Sequence, residues 1–173
     1  MTICGRLLRR AGREAETGQM STFEEILEKD GRLVYKTKGV SMNPMLYQNR
    51  DLVVIEPPRG RLQKYDVALY RRGNSYVLHR VVGVNGDGTY SILGDNTYSV
   101  EIVPEKNVIG VLTQFVRDGR QFTVTDPAYL RYVHFWCAAY PLRRTCVRSK
   151  WKMKSIAKRI LGIKGKSEEK IRR

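Results

Sequence analysis

The sequence predicts a mainly β fold made of short, mostly antiparallel strands, with a short helix before them and helices after them. This prediction rests on strand-like segments rich in Val, Ile, Tyr and Thr, on hairpin-type turns between them, and on helical periodicity near both ends. At 173 residues with 42% hydrophobic content, the chain can form one domain with a core plus terminal segments. We expect a disordered extension over residues 1–20, a β domain over 21–125 and a helical, strongly basic segment over 126–173.

The first predicted element is a helix in the stretch MSTFEEILEKDG, which starts at Met20. Ser21 is the expected N-cap, Glu24 would complete a capping box, and Gly31 would end the helix. Because Met20 stands directly before this helix, residues 1–19 are expected to be a disordered extension or the product of an upstream start codon.

The strand candidates follow in chain order and are separated by turn-forming residues. They are RLVYKT, DLVVIEP, DVALYRR, SYVLHRVVGV, TYSILG, VIGVLTQFVR and RQFTVT. Joints at Gly73–Asn74, Asn85–Gly88 and Asp118–Gly119 carry residues that tolerate positive φ. Such joints form tight hairpins, so an antiparallel meander is favoured over parallel crossovers.

Helical signals return after the last strand candidate. Asp126 is the expected N-cap, Pro127 the first helical residue and Pro141 the end of the helix. The stretch VRSKWKMKSIAKRILGIKGK predicts a basic amphipathic helix whose apolar residues are Trp151, Met153, Ile156, Ala157, Ile160 and Leu161. This helix could lie on an anionic membrane surface or pack its apolar face on the domain, and both alternatives stay open.

The net charge of +15 is concentrated near the C-terminus, where residues 141–173 hold 13 Lys or Arg against 2 Asp or Glu. This excess indicates either a polyanionic neighbour or a solvated basic tail. The rest of the chain needs no such partner.

Cysteine content and hydropathy predict the compartment. The three cysteines Cys4, Cys137 and Cys146 are odd in number and lack metal-ligand spacing, so a reducing compartment is expected and they predict no metal site. The sequence shows no cleavable signal pattern and no apolar run of about 18 residues. We therefore expect a cytoplasmic or peripherally membrane-associated protein.

Three polar residues of the β region are candidates for hydrolytic chemistry, and the first is Ser41 in KGVSMNPML. Gly39 and Pro44 flank it and fix unusual or rigid backbone. A serine hydroxyl needs a general base, and the chain has two histidines. His134 lies in the aromatic stretch YVHFW, where packing is its expected role, whereas His79 in YVLHRVVGV could face the core or a cleft.

The third candidate is Asp95 in LGDNT, at a strand end where a turn can aim a carboxylate. The ordered set KGVSMNPML, RDLVVIEP, KYDVALYRR, YVLHRVVGV and YSILGDN resembles the type I signal peptidase family, within the wider clan that includes the LexA-type self-cleaving repressors. The resemblance covers Tyr35 to Leu112. It implies a serine endopeptidase that removes a leader or signal segment from a polypeptide and uses no cofactor.

The resemblance also implies residue roles. The serine of the family's SM-x-P motif matches Ser41, and the base position before Arg80 is occupied by His79, which points to the histidine type of the family rather than the lysine type. Asp95 matches the acid of the family's GDN element and is the expected third catalytic residue. Glu101 is a possible second acidic residue, at a position where the family usually has aspartate.

The neighbours of the serine are the expected substrate-binding residues. The family commonly uses the backbone N–H of the nucleophile as one oxyanion donor, here Ser41, with Gly39 and Val40 as candidates for the second. Met42 and Pro44 would shape the turn and the cleft. Substrates of the family bind as an extended strand beside the serine.

Two other functions remain open at this stage. One is a self-cleaving regulatory protein of the repressor kind, although those repressors use lysine as the base, and nucleic acid is not an expected partner. The other is a non-catalytic β module that the basic tail anchors to a membrane or partner.

Overall fold

A computed structural model describes residues 22–145, and these residues form a mainly β fold. The chain divides into two compact units, Met1–His134 and Phe135–Arg173, so the boundary lies nine residues beyond the domain boundary expected from the sequence, 125. The predicted N-terminal extension, the basic amphipathic helix, Cys4 and Cys146 lie outside the described residues.

Along the described part of the chain, one α-helix precedes a run of eight strands and another follows it. The elements are helix α1 (Phe23–Asp30), strands β1 (Leu33–Lys36), β2 (Leu52–Glu56), β3 (Val67–Arg72), β4 (Ser75–Val84), β5 (Thr89–Leu93) and β6 (Glu101–Pro104), a 3₁₀ helix (Glu105–Asn107), strands β7 (Val108–Arg117) and β8 (Arg120–Thr123), and helix α2 (Pro127–Ala138). The strands form one 8-stranded sheet in the order β1-β2-β7-β3-β4-β5-β6, with β8 paired to β7. Each of these pairings is antiparallel, which confirms the predicted fold class.

Helix α1 has the predicted capping box, shifted by one residue. Thr22 is the N-cap, and Glu25 completes the box, so the prediction of Ser21 and Glu24 was wrong. The stretch STFEE offers two frames with a hydroxyl and a glutamate three residues apart, and the second frame leaves Glu24 free to accept from the Tyr76 hydroxyl. The helix ends at Gly31, as predicted, with a φ of 66° in the left-handed region.

The hairpin between β3 and β4 sets the register on which the site depends. Its two-residue loop, Gly73–Asn74, was predicted from the sequence and pairs Arg72 with Ser75. The same ladder pairs Ala68 with His79. Because side chains alternate along a strand, His79 and the β3 residues Ala68 and Tyr70 share one face of the sheet.

Strand β6 was not predicted, because its four residues EIVP begin with a charge and end with a proline. It pairs with β5 at the edge of the sheet, and Glu101 lies opposite Ile92. Ile92 in turn lies opposite Val81 of β4. This register puts Glu101 on the sheet face that carries His79.

That face also carries a hydrophobic core. Its buried residues are Leu62, Ala68, Tyr70, Val81, Tyr90, Ile92 and Val103. Each large side chain buried here contributes about 1.5–3 kcal/mol relative to an exposed one. The polar residues His79 and Glu101 therefore lie beside a packed, rigid surface.

Helix α2 begins at Pro127, as predicted. It ends at Ala138, and residues 140–145 are helical again, so the prediction that Pro141 ends the helix was wrong. Proline is tolerated in the first turn of a helical segment, where its missing N–H has no intrahelical partner to lose. His134 is exposed and packs edge-on against Tyr65, with ring centroids 5.0 Å apart. Across the described part of the chain, no helix is long and apolar enough to cross a membrane.

Candidate active site

Ser41 lies in a turn between β1 and β2. Buried side chains of the same turn hold it against the core. Met42, Met45 and Leu46 are each no more than 5% exposed. Leu46 N–H donates to the Met42 carbonyl over 3.0 Å, and this bond closes the turn. The buried Asp51 holds the following residues by accepting from the Tyr47 N–H over 2.8 Å. The half-buried Ser41 is therefore presented on a fixed backbone.

Ser41 and His79 approach each other at Gly94. A methyl group placed on Gly94 would lie 2.8 Å from the Ser41 carbonyl oxygen and 3.0 Å from His79 Nε2. Both distances are too short for a carbon atom, so glycine is required for this approach. Within residues 22–145 no hydrogen bond joins Ser41 Oγ to His79. In unliganded enzymes such bonds are often long and tighten when substrate binds.

The residues after Gly94 fix the backbone of the serine turn. Asn96 N–H donates to the Ser41 carbonyl over 2.7 Å, and Asn96 Nδ2 donates to the Val40 carbonyl over 3.1 Å. The Thr97 hydroxyl accepts from the Gly94 N–H over 3.0 Å, and this bond closes the loop that contains Asp95 and Asn96. The GDN element therefore clamps two successive peptide groups of the serine turn.

Asp95 forms a hydrogen-bonded ion pair with Arg80 rather than a hydrogen bond with His79. Arg80 donates from Nε and Nη2 to the two Asp95 oxygens, each over 2.8 Å, and both side chains are almost fully buried. The Tyr132 hydroxyl donates to Asp95 over 3.2 Å. His79 and Arg80 are successive residues of β4, so their side chains point to opposite faces, and Asp95 lies with Arg80. The sequence analysis expected Asp95 to orient His79, and no hydrogen bond within residues 22–145 does so.

Arg80 ties several elements together around this ion pair. Its Nη1 donates to the Tyr65 carbonyl and to the Tyr129 hydroxyl, each over 3.0 Å, and its Nη2 contacts Met45 Sδ at 3.0 Å. Burial alone would lower the pKa of Arg80, but the charge and hydrogen bonds of Asp95 raise it above its usual value. The charged Arg80 thereby links β4 to the serine turn, the GDN element and α2.

Glu101 is the carboxylate that faces the imidazole. Its Oε1 lies 4.0 Å from His79 Nδ1 and accepts from Arg72 Nη1 over 2.8 Å. Its Oε2 accepts from the Tyr70 hydroxyl over 2.9 Å. The Tyr70 oxygen in turn lies 3.3 Å from His79 Nδ1. Glu101, Tyr70 and His79 thus form a continuous polar network, with the tyrosine between the acid and the imidazole.

Burial lowers the pKa of His79 below its usual value of 6.5. The charge of Glu101 opposes this effect, Arg72 adds to it, and Asp95 opposes it less strongly. A lowered pKa keeps the imidazole neutral near pH 7. The neutral ring is the form that a general base requires.

A cleft of about 880 Å³ opens at the pair, and Ser41 and His79 both line it. One wall is the end of β1 and the chain that follows it, Tyr35 to Gly39, and the opposite wall is Ser75 to Leu78 of β4. Phe23 of α1 lines it too and stacks on Tyr76, with ring centroids 4.5 Å apart.

The expected substrate-binding residues take different positions. Gly39 lines the cleft and adopts a φ of 84°, and Met42 lines it from the buried side. Val40 is 51% exposed and is not part of the cleft lining, and neither is Pro44. Of the four residues, Gly39 and Met42 therefore line the cleft, whereas Val40 and Pro44 lie in the serine turn outside this lining.

Sequence reasoning missed Tyr70, Arg72 and Asn96. The predicted Gly73–Asn74 hairpin contained the signal for the first two, since its register puts Tyr70 and Arg72 on the His79 face of β3. Asn96 could have been noted as the third residue of the GDN element. Its role depends on where the loop meets the serine turn, which no local pattern states.

Comparison with known proteins assigns no family to this chain. A scan against protein-family models finds no match, and a search of the curated proteins finds none either. Within residues 22–145, no group of three or more His, Cys, Asp or Glu side chains is arranged to hold a metal ion.

Proposed function

We propose that this protein is a serine endopeptidase of the type I signal peptidase kind, which cleaves a leader or signal segment from a polypeptide. The observation that carries the proposal is the approach of the Ser41 backbone and His79 Nε2 to Gly94, together with the place of both Ser41 and His79 in the lining of one open cleft. A nucleophile and a neutral base on one cleft wall are the minimum that acyl transfer needs.

In the proposed mechanism His79 Nε2 takes the proton of the Ser41 hydroxyl while the oxygen attacks a peptide carbonyl. The imidazolium then donates that proton to the leaving amine, and an acyl-enzyme remains on Ser41. Water hydrolyses the acyl-enzyme with His79 again as the base. Glu101, whose Oε1 lies 4.0 Å from Nδ1, stabilises the positive charge that the ring carries between these steps.

The serine turn also supplies a candidate oxyanion donor. Within the described residues the Ser41 N–H donates to no acceptor. The Val40 carbonyl belongs to the same planar peptide group as this N–H, and Asn96 Nδ2 holds that carbonyl. Asn96 therefore fixes the direction of the Ser41 N–H before substrate arrives, which is the preorganisation that oxyanion stabilisation needs.

The cleft suits an extended polypeptide. Strand β1 lies at the edge of the sheet, so a substrate segment can add to it through main-chain hydrogen bonds. Such binding demands no particular sequence, and side chains on the opposite wall would select the residues near the cut. The sequence also predicts a basic amphipathic helix near the C-terminus, which could lie on an anionic membrane surface or pack its apolar face on the domain.

The test is cleavage of an unbiased extended-peptide library, with products read by mass spectrometry. The parent protein should produce cuts that Ser41→Ala does not, because the nucleophile is gone. Ser91→Ala is the matched control, since Ser91 of β5 lies outside the cleft lining, and it should cut as the parent does. Identical cuts by parent and Ser41→Ala would overturn the proposal.

Two other results would favour the alternatives. A discrete product of the protein's own chain, lost in Ser41→Ala, would indicate self-cleavage of the repressor kind. Failure of the folded parent to cut any peptide, with or without anionic vesicles, would support a non-catalytic β module.

A further inference from the structure

We propose that Tyr70 is the residue that positions the base His79, by accepting a hydrogen bond from its Nδ1–H, and that Glu101 holds the Tyr70 hydroxyl in this role. The catalytic meaning of the inference rests on the proposed peptidase function. The tautomer that it assigns to His79 can be tested without any substrate.

The Tyr70 hydroxyl has a single proton and two possible acceptors. Its oxygen lies 2.9 Å from Glu101 Oε2 and 3.3 Å from His79 Nδ1, so the proton can serve only one of them. Arg72 donates to the other oxygen of Glu101 over 2.8 Å, and in this ion pair the carboxylate is the charged acceptor. An ionised carboxylate can only accept, so the Tyr70 proton is directed to Glu101.

The Tyr70 oxygen is then left as an acceptor for the imidazole. A neutral imidazole has one N–H, and the group that it faces decides which nitrogen carries the proton. Because the hydroxyl proton already serves Glu101, His79 Nδ1 must carry a hydrogen to bond with Tyr70. Nε2 is consequently unprotonated, and it is the nitrogen that lies at Gly94 beside the serine turn.

The surroundings keep this arrangement fixed. Tyr70 is 1% exposed and belongs to the hydrophobic core, so its ring has little freedom to turn the hydroxyl away. Burial and the hydrogen bond to Glu101 both raise the pKa of Tyr70, so the hydroxyl keeps its proton at physiological pH. Tyr70 would thus perform the orienting task for which the sequence analysis chose Asp95.

The test is nitrogen NMR of histidine-labelled protein at a pH where His79 is neutral. The chain has two histidines, and His134→Gln identifies the signals of His79. The parent should show Nδ1 protonated and Nε2 unprotonated. In Tyr70→Phe the acceptor is lost, and the signals should move towards a mixture of both tautomers.

Tyr90→Phe is the matched control. Tyr90 is a buried tyrosine of the same hydrophobic core, and its hydroxyl accepts from the Leu62 N–H over 2.9 Å rather than facing a histidine. It should leave the His79 tautomer unchanged. A second variant, Glu101→Gln, can donate to Tyr70, so it should also weaken the preference for the Nδ1–H form.

Cleavage kinetics give the second readout. Loss of one hydrogen bond to the base should lower kcat by about 10- to 100-fold in Tyr70→Phe, with KM little changed. A parent His79 protonated at Nε2, or a Tyr70→Phe spectrum equal to that of the parent, would overturn the inference even if the protein is a peptidase. An Nδ1–H tautomer in a protein that cleaves nothing would support the positioning role and contradict the peptidase function instead.

Discussion

The two faces of strand β4 use an acidic residue for different purposes. On one face the buried ion pair of Arg80 and Asp95 joins the serine turn, the GDN element and α2. On the other face His79 lies in the cleft wall, and Glu101 reaches it through Tyr70. Arg80 and His79 are adjacent in sequence. The alternation of side chains along β4 therefore places Arg80 in the buried ion pair and His79 in the cleft wall.

The difference shows how a buried acid that holds the fold together can be distinguished from an acid that faces the proposed base. The Asp95 side chain is 3% exposed, and its oxygens are bonded to a permanent cation. The Glu101 side chain is 31% exposed and lies 4.0 Å from His79 Nδ1, a group that would gain charge only during the proposed reaction. Removal of Asp95 should therefore cost mainly stability, and removal of Glu101 should cost mainly rate.

The largest effect expected is on catalysis, from His79→Gln. If His79 is the proposed base, its loss should lower the cleavage rate by about 10⁴- to 10⁶-fold, as removal of a triad member does in known serine proteases. The matched control is His134→Gln, because His134 is exposed and packs on Tyr65 outside the cleft. Steady-state cleavage of the best library peptide measures both variants, and equal rates for the two would contradict the role of His79.

The second comparison exchanges the two acids for their amides. Asp95→Asn leaves Arg80 buried without its counter-charge and should lower the free energy of unfolding by about 3–5 kcal/mol. Glu101→Gln weakens a partly exposed pair with Arg72 and should cost less than about 1 kcal/mol. Urea titrations of the two variants give these values. A larger loss in Glu101→Gln than in Asp95→Asn would reverse the assignment of the two faces.

A smaller effect is expected from Gly94→Ala. The new methyl group would lie 2.8 Å from the Ser41 carbonyl and 3.0 Å from His79 Nε2, so it should cost about 1–3 kcal/mol of stability and slow cleavage as well. Gly86→Ala is the control, because a methyl group there meets nothing within 4 Å. Thermal unfolding and cleavage assays compare the two, and equal behaviour would mean that Ser41 and His79 do not meet at Gly94.

The smallest effect expected is a pH dependence of stability. Since the pKa of His79 is lowered in the folded protein, its contribution is fully present above the unfolded value of 6.5 and is lost as the pH falls through the folded pKa. The slope from this one group cannot exceed about 1.4 kcal/mol per pH unit. Urea titrations between pH 7.5 and pH 5 should show a steeper loss in the parent than in His79→Gln, and parallel curves would refute the lowered pKa.

Most of the fold could be predicted because its signals are local. Alternation and hairpin residues identified the strands around Gly73–Asn74 and Asp118–Gly119. The short strand β6 could not be predicted, since its pairing with β5 rather than its composition makes it a strand. The cap of α1 was displaced by one residue because the stretch STFEE has two equivalent frames.

The candidate site was predicted less completely. Ser41 and His79 were chosen from the sequence, and both line one cleft. The partner of the imidazole could not be derived in the same way, because it depends on which face of the sheet each acid occupies. Asp95 and Glu101 are six positions apart in the sequence, yet only the β5–β6 register distinguishes their faces.

The most direct test of the central claim is covalent labelling of the parent protein with a fluorophosphonate, which reacts with base-activated serines. Mass spectrometry of the digested protein should find the label on Ser41, and His79→Gln should remove it while His134→Gln keeps it. Such a result would establish a serine activated by His79. The account would be contradicted if the folded parent carried no label on Ser41. It would also be contradicted if His79→Gln were labelled on Ser41 as strongly as the parent.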